Sequence, residues 1–327
     1  MQHVRPLLQT GPARPSGAVR FGACWFTHVE VLSRTQAPMV MAVGDLEPEV
    51  IRRFNAATDT LDIMGILNVT PDSFSDGGRH DDIAAAVAHA TAMVASGATI
   101  IDVGGESTRP GAESVAATEE IRRTAPVIAA LRAAGVTAPI SIDTRKAAVA
   151  EAALDAGATI VNDVSGFTFD ADLAPLCAAR NVPVCVMHAQ GDPQVMQKNP
   201  TYDNVLLDVY DFLHDRIAAL HAAGISRGNI IADPGIGFGK TLDHNLVLLN
   251  RISLFHGLGV PILLGASRKR FIGTLGRAPE ARDRAPGSIG VALAALAQGV
   301  QTIRVHDVAE HAQAIALWRA SVANPDT

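Results

Sequence analysis

The stretch IIADPGIGFGKT, Ile230 to Thr241, places a carboxylate, a glycine-rich turn and a Gly-Lys-Thr triplet side by side. Gly239-Lys240-Thr241 is the second half of the phosphate-loop pattern G-x-x-x-x-G-K-[ST]. The first glycine of that pattern falls on Pro234. Proline has no N–H to offer a phosphate oxygen and fixes its own φ, so the usual nest of backbone donors cannot form. Asp233 would also put negative charge at the mouth of the cradle. The stretch is therefore not read as a nucleotide site, and Asp233 becomes the working group. A carboxylate flanked by Pro and Gly leaves room for a flat ligand and can accept two adjacent N–H donors at once. The plainer reading is that Asp233 caps the next turn or helix.

Polar residues close short apolar runs all along the chain. LDIMGILN ends at Asn68, ATIIDVGG carries Asp102, PISIDT reaches Asp143, and ATIVND ends in Asn162 and Asp163. VPVCVMH ends at His188, NIIAD at Asp233, VPILLGAS at Ser267, and QTIRVHD holds Arg304 and His306. His89, His214, His221 and His244 show no metal-ligand spacing, and no Ser–His–Asp set is evident. Arg268-Lys269-Arg270 reads, at its plainest, as a solvated helix start.

These residues need elements to hold them. The eight β-branched runs alternate with Ala-rich stretches of helical spacing, such as IAAAVAHATAMVASG and KAAVAEAALDAG, that stop at glycine. SGATIIDV (96–103) and AGATIVND (156–163) repeat one helix-end-to-strand junction. Near-continuous apolar strands between helices imply a parallel sheet covered on both faces. The fold class expected is α/β, a (β/α)8 TIM barrel forming a single domain with an N-terminal extension. An open doubly wound sheet is the alternative, but it gathers its ligand residues at one switch point, whereas here nearly every strand ends in a candidate. In a barrel those ends converge.

Composition narrows the classes. With 48% hydrophobic and 18% charged residues the chain reads as globular, and a net charge of −6 gives no general attraction for nucleic acid or an anionic membrane. The longest nearly apolar run, GSIGVALAALAQGV, is too short to span a bilayer. Cys24, Cys177 and Cys185 lack C-x-x-C spacing, and Cys177 and Cys185, in apolar surroundings, read as buried free thiols, which implies a cytoplasmic location. The first forty residues hold Arg5, Arg14, Arg20 and Arg34 but one acid, Glu30, and no sustained period. Residues 1–55 are expected to be a loosely ordered extension, or a reading frame begun too far upstream with Met39 or Met41 the true start. An organelle transit peptide is the lesser alternative. The barrel domain is set at 56–327.

GILNVTPDSFSDGG (65–78) and IDVGGESTRPGA (101–112) resemble the two opening signatures of the dihydropteroate synthase family. The resemblance runs on in order through SIDT, VNDVSG, VMHAQGDPQVMQ, DPGIGFGK, GASRKRFIG and IRVHDV, from about Ile63 to the end. It implies a (β/α)8 barrel. It also implies an activity in folate synthesis that sulfonamides inhibit: joining 6-hydroxymethyl-7,8-dihydropterin pyrophosphate to p-aminobenzoate, with release of pyrophosphate. By the same resemblance Asp233 takes the guanidine-like edge of the pterin, and Asp143 and Asn162 bind other ring nitrogens. Lys269 reaches the carbonyl and N5 side, Arg304 stacks along the ring, and Met187 packs on it, core filling being its equal alternative. Asn68 is implied at a Mg2+–pyrophosphate site, with Arg304 and His306 on phosphate oxygens. Asp72 and Asp76 are possible helpers or ordinary turn residues. Phe74, Thr108, Arg109 and Pro110 are implied over the p-aminobenzoate ring, with Ser267 near its carboxylate and Phe238 in the glycine loop. The chemistry implied is an SN1-like displacement, and the assembly a homodimer through helices near the C-terminus.

Two positions depart from the family pattern. Ile236 stands where the first of two phenylalanines is common, and Ala285-Pro286 alters the approach to the last helices. Two rivals follow: a non-catalytic pterin-binding paralogue, and a pterin-dependent methyltransferase on the same barrel. The retained Asn68, Phe74, Arg109, Lys269, Arg304 and His306 speak against the first, and NVTPDSF and SRK against the second.

Overall fold

The computed structural model describes residues 2–11, 13–54, 60–69, 79–107, 114–191 and 199–322. Its N-terminal part contains β1 (His3–Pro6), β2 (Gln9–Thr10), β3 (Val19–Phe21), β4 (Cys24–Phe26), β5 (His28–Leu32), β6 (Met39–Ala42) and α1 (Pro48–Phe54). The strands make two antiparallel sheets, β1-β5-β6 and β2-β4-β3. This corrects the expectation of a loose segment. The strands are two to five residues long, too short to show a period, and their apolar residues meet only across the fold. Val4, Phe21, Phe26, Val29, Val43 and Phe54 form a buried cluster, with Phe26 edge-on to Phe54 at 5.4 Å. The boundary set at 55/56 falls among residues outside the described set.

The barrel follows: β7 (Asp62–Asn68), α2 (Arg79–Ala95), β8 (Ile100–Gly104), α3 (Ala117–Ala133), β9 (Ile140–Asp143), α4 (Ala147–Asp155) and β10 (Ile160–Asp163). Then come α5 (Leu173–Arg180), β11 (Val184–Met187), α6 (Val205–Ala222), β12 (Ile230–Asp233) and α7 (Leu242–Asn250). The chain continues through β13 (Leu263–Leu264), α8 (Arg270–Leu275), α9 (Ala285–Leu296), β14 (Thr302–Val305) and α10 (Val308–Val322). The sheet runs β12-β11-β10-β9-β8-β7-β14-β13, and a parallel bridge from Ala232 to Ile262 closes β12 onto β13. All eight strands expected from the sequence are present.

Period-two alternation decides what lines the interior. Met64, Ile100, Ile160, Cys185 and Leu263 form a buried inner layer with Ile231 against it. Two residues further along the same faces stand Asp102, Asn162, Met187 and Asp233. The apolar layer thus forms a dry floor under the polar one.

The extension packs where the chain approaches barrel strands. Phe21 lies 4.4 Å from the His256 ring, within the buried 3-10 turns Ile252–Leu258 that precede β13. The Cys24 thiol donates to the Leu296 and Ala297 carbonyls, ahead of β14. His3 and Arg34 bond Asp211, and Arg34 also Asp208, on α6. The extension therefore packs on the chain leading into β13 and β14 and along the flank of α6.

Candidate active site

At the centre of the mouth, Arg304 of β14 joins two carboxylates. Its Nε donates to Asp102 Oδ2 at 2.6 Å and its Nη2 to Asp143 Oδ2 at 2.7 Å. Asn162 Nδ2 reaches both Asp102 oxygens at 3.4–3.5 Å. Asp102 is fully buried, and Asp143 and Asn162 nearly so. Burial presses the Asp143 carboxyl above the usual carboxylate range, Arg304 opposing and Asp102 adding to the rise. Burial also works against the Arg304 charge, but Asp102 and Asp143 more than restore it. With Nε and Nη2 committed, the guanidinium plane is fixed, a geometry that suits stacking on a flat ring.

Beside this group Asp233 closes β12, in register with Met187 of β11. One carboxylate oxygen accepts from Gly235 N–H at 2.7 Å, so the turn-capping role read from the sequence is real. It occupies Oδ1 and does not compete with a ligand at Oδ2. Burial raises the Asp233 pKa, while Lys269 opposes the rise. Lys269 donates to the Ile236 carbonyl, and its ammonium sits 4.5 Å from the Phe238 ring centre. Burial lowers the Lys269 pKa to about 8, Asp233 opposing. The basic run is thus no solvated helix start at Lys269; Arg268 is likewise turned to Asp307.

On the rim, Ser267 Oγ and His306 Nδ1 are 3.0 Å apart, and His306 N–H donates to the same hydroxyl at 3.2 Å. This links the chain beyond β13 to that beyond β14. Asn68 ends β7 across from Gly104, and a Cβ built on Gly104 would lie 3.7 Å from Asn68 Oδ1 and 3.9 Å from Asp143 Oδ2. Asn68, Asp143, Asn162, Met187, Asp233, Phe238, Ser267, Lys269, Arg304 and His306 therefore all stand at the strand C-terminal end. Phe74, Thr108, Arg109 and Pro110, with Asp72 and Asp76, lie outside the described residues.

Neither departure from the family pattern removes a polar group from the mouth. Ile236 is fully buried and belongs to the main core. Pro286 sits in the first turn of α9, where proline costs no helical hydrogen bond.

Three features escaped the sequence reading. Asp102 orients Arg304 from 202 residues away in the chain; its place on an apolar run beside Asp143 was the available signal. Lys240, the lysine of the phosphate-loop resemblance, is buried and points inward to His188 and to the Gly235 and Phe238 carbonyls. A buried quartet lies next to the mouth. Lys146 bonds Glu106 and Glu120, Arg145 bonds Glu106 at 2.9 Å, and Glu106 also accepts from Val115 N–H at 3.2 Å. Burial works against the Glu106 charge, but Lys146 holds it below the usual range.

Residues 64–306 match the family described as pterin binding enzyme. A dihydropteroate synthase of Synechocystis sp. is 45% identical over 261 residues, covering 79% of this chain and 90% of that protein. The chain belongs to the dihydropteroate synthase family. Two solved dihydropteroate synthase structures from Xanthomonas albilineans agree. One, with 4-aminobenzoic acid, is 44% identical at a TM-score of 0.77, covering 82% of this chain and 95% of the other. The second, in complex with 7,8-dihydropteroate, is 41% identical at a TM-score of 0.74 over the same shares. The family match begins at residue 64, so the two small sheets of the extension lie outside it.

Proposed function

We propose that the protein is a dihydropteroate synthase, a transferase that joins p-aminobenzoate to 6-hydroxymethyl-7,8-dihydropterin pyrophosphate and releases pyrophosphate. The observation that carries this reading is the buried Asp233 carboxylate and the Lys269 ammonium, both oriented by the backbone of one glycine loop, beside the Asp102–Arg304–Asp143 group. A pterin presents adjacent N–H donors on one edge and a carbonyl beyond them. Asp233 takes the donors, Lys269 the carbonyl and N5 side, and Asp143 and Asn162 the remaining ring nitrogens. Arg304 lies along the ring face, and Met187 packs on it.

Departure of pyrophosphate with the bonding electron pair leaves a cation on the pterin methylene, delocalised into the ring. Asp143 and Asp233 stabilise that cation electrostatically. Arg304 and His306 receive the phosphate oxygens. The aniline nitrogen of p-aminobenzoate then forms the new bond and loses its proton, a step that needs no strong general base. Phe74, Thr108, Arg109 and Pro110 cover its ring, and Ser267 meets its carboxylate.

A divalent cation would be held at the rim by the Asn68 side chain, which closes β7 at the strand C-terminal end. Few protein ligands suit Mg2+, which keeps waters and binds through substrate phosphates. Asn68 would hold Mg2+, which would supply positive charge to the leaving pyrophosphate. Mimicry of p-aminobenzoate would make the site a sulfonamide target. No described helix is long and apolar enough to cross a membrane. We further infer a cytoplasmic homodimer formed through the C-terminal helices, with small molecules rather than nucleic acid as its ligands.

The test is to incubate the purified protein with Mg2+ and both substrates and follow dihydropteroate by chromatography. Product should require both substrates. Asp233→Ala should lower kcat/KM by ~100-fold or more, the loss of a charge-assisted double hydrogen bond. Pterin binding without product would turn the assignment to a non-catalytic paralogue.

A further inference from the structure

Lys240 lies at the centre of the loop between β12 and α7. Its ammonium is 2.8 Å from His188 Nδ1, 2.8 Å from the Gly235 carbonyl, 3.0 Å from the Phe238 carbonyl and 3.3 Å from the His188 carbonyl. Three protons thus meet three short acceptors, with a fourth shared, and the side chain is 3% exposed. The loop it holds lies directly on the chain leaving β11. A Cβ on Gly235 would come within 1.9 Å of the His188 carbonyl oxygen, and one on Gly239 within 2.3 Å of the Gln190 oxygen. The same loop supplies the Gly235 N–H that orients Asp233, the Ile236 carbonyl that takes Lys269, and the Phe238 ring under that ammonium.

We propose that Lys240 is a positioning residue for the pterin subsite: from beneath, it fixes the 234–239 loop on which both Asp233 and Lys269 depend. The proposal rests on the synthase reading above. It also accounts for the Gly-Lys-Thr triplet, because the lysine is directed at its own loop's carbonyls and at His188 rather than outward to a phosphate. Thr241 caps α7 by accepting from His244 N–H. His188 is neutral in this arrangement. Burial and then Lys240 lower its pKa to about 2, so it stays an acceptor at every working pH.

The position has an electrical consequence. Asp233 feels Lys269 from the chain beyond β13, Lys240 from its own loop and Arg304 from β14, while the Cys185 thiol faces it from β11. Burial presses the Lys240 pKa well below the usual lysine value, Asp233 opposing the fall; in their charged forms all three cations favour the ionised carboxylate. Removing the Lys240 charge therefore raises the Asp233 pKa, and pterin affinity is lost at a higher pH on acidification.

The test uses the full chain and the two substrates. In Lys240→Met, KM for the dihydropterin pyrophosphate should rise about tenfold, equivalent to ~1.4 kcal/mol. KM for p-aminobenzoate should stay within about twofold. Calorimetric titration with the dihydropterin pyrophosphate across pH should show the acid limb displaced upward. Should Lys240→Met fail to fold, the His188 pair decides. His188→Asn keeps an acceptor near the Nδ1 position and should retain pterin affinity, while His188→Leu removes it and should not. Equal KM values for the pterin in His188→Asn and His188→Leu, or a Lys240→Met enzyme impaired equally for both substrates with an unmoved acid limb, would overturn the assignment. Absence of dihydropteroate with the unaltered protein would instead overturn the synthase reading itself.

Discussion

Two groups of buried charge lie side by side at the C-terminal ends of β8 and β9, and they are put together differently. In the Glu106–Lys146–Glu120–Arg145 quartet, each member contacts an opposite charge, and Glu106 adds the backbone of Val115. In the mouth, Arg304 is shared by Asp102 and Asp143, but Asp233 and Lys269 are each held by backbone, at Gly235 N–H and the Ile236 carbonyl. Charges committed to one another hold chain to chain. Charges oriented by neutral backbone keep part of their bonding capacity for a ligand. Burial alone does not separate the two groups; the choice of partners does.

Breaking the mouth should have the largest effect. Arg304→Met leaves Asp102 and Asp143 buried without their cation, and kcat/KM should fall by ~1,000-fold or more. Steady-state kinetics on both substrates would check this. Residual activity within about tenfold of the unaltered protein would make the arginine structural and dissolve the contrast.

Lys146→Met tests the other side. It strands the buried Glu120 and leaves Glu106 with Arg145 alone as its cation, and should cost about 3–5 kcal/mol of unfolding free energy in a denaturant titration. KM for the dihydropterin pyrophosphate should be unchanged. A variant with normal stability and lost pterin affinity would place the quartet in the ligand site.

The smallest effect is a matter of pH. Lys269 is pressed down to about 8 by burial, so its ammonium is lost as pH rises through that value. Pterin affinity should fall on the alkaline side near that same pH of about 8. The loss should disappear in Lys269→Arg, whose guanidinium stays protonated. An alkaline limb that survives in Lys269→Arg belongs to another group.

Much of the mouth was legible in the sequence because parallel barrel strands are short, continuous in apolar character and closed by polar residues. Asn68, Asp143, Asn162, Asp233 and Arg304 all announce themselves that way. What stayed hidden was partnership. Lys146 and Glu106 are 40 residues apart, Lys240 and His188 are 52 apart, and no local pattern joins them. The extension was hidden for a related reason. Phe21 and Phe54 belong to one cluster but to different elements, each too brief to reveal a repeat.

The path of the β12–α7 loop also limits how this protein can vary by descent. At 235 and 239 any side chain would strike carbonyl oxygens of the neighbouring chain, so those codons are closed to every substitution that adds a Cβ. At positions 236 and 238 between them side chains are present, Ile236 buried in the main core and Phe238 beside the Lys269 ammonium. A lineage under selection to alter its grip on the ligand from this loop therefore has chiefly the Phe238 side chain to change, and a backbone it must inherit intact.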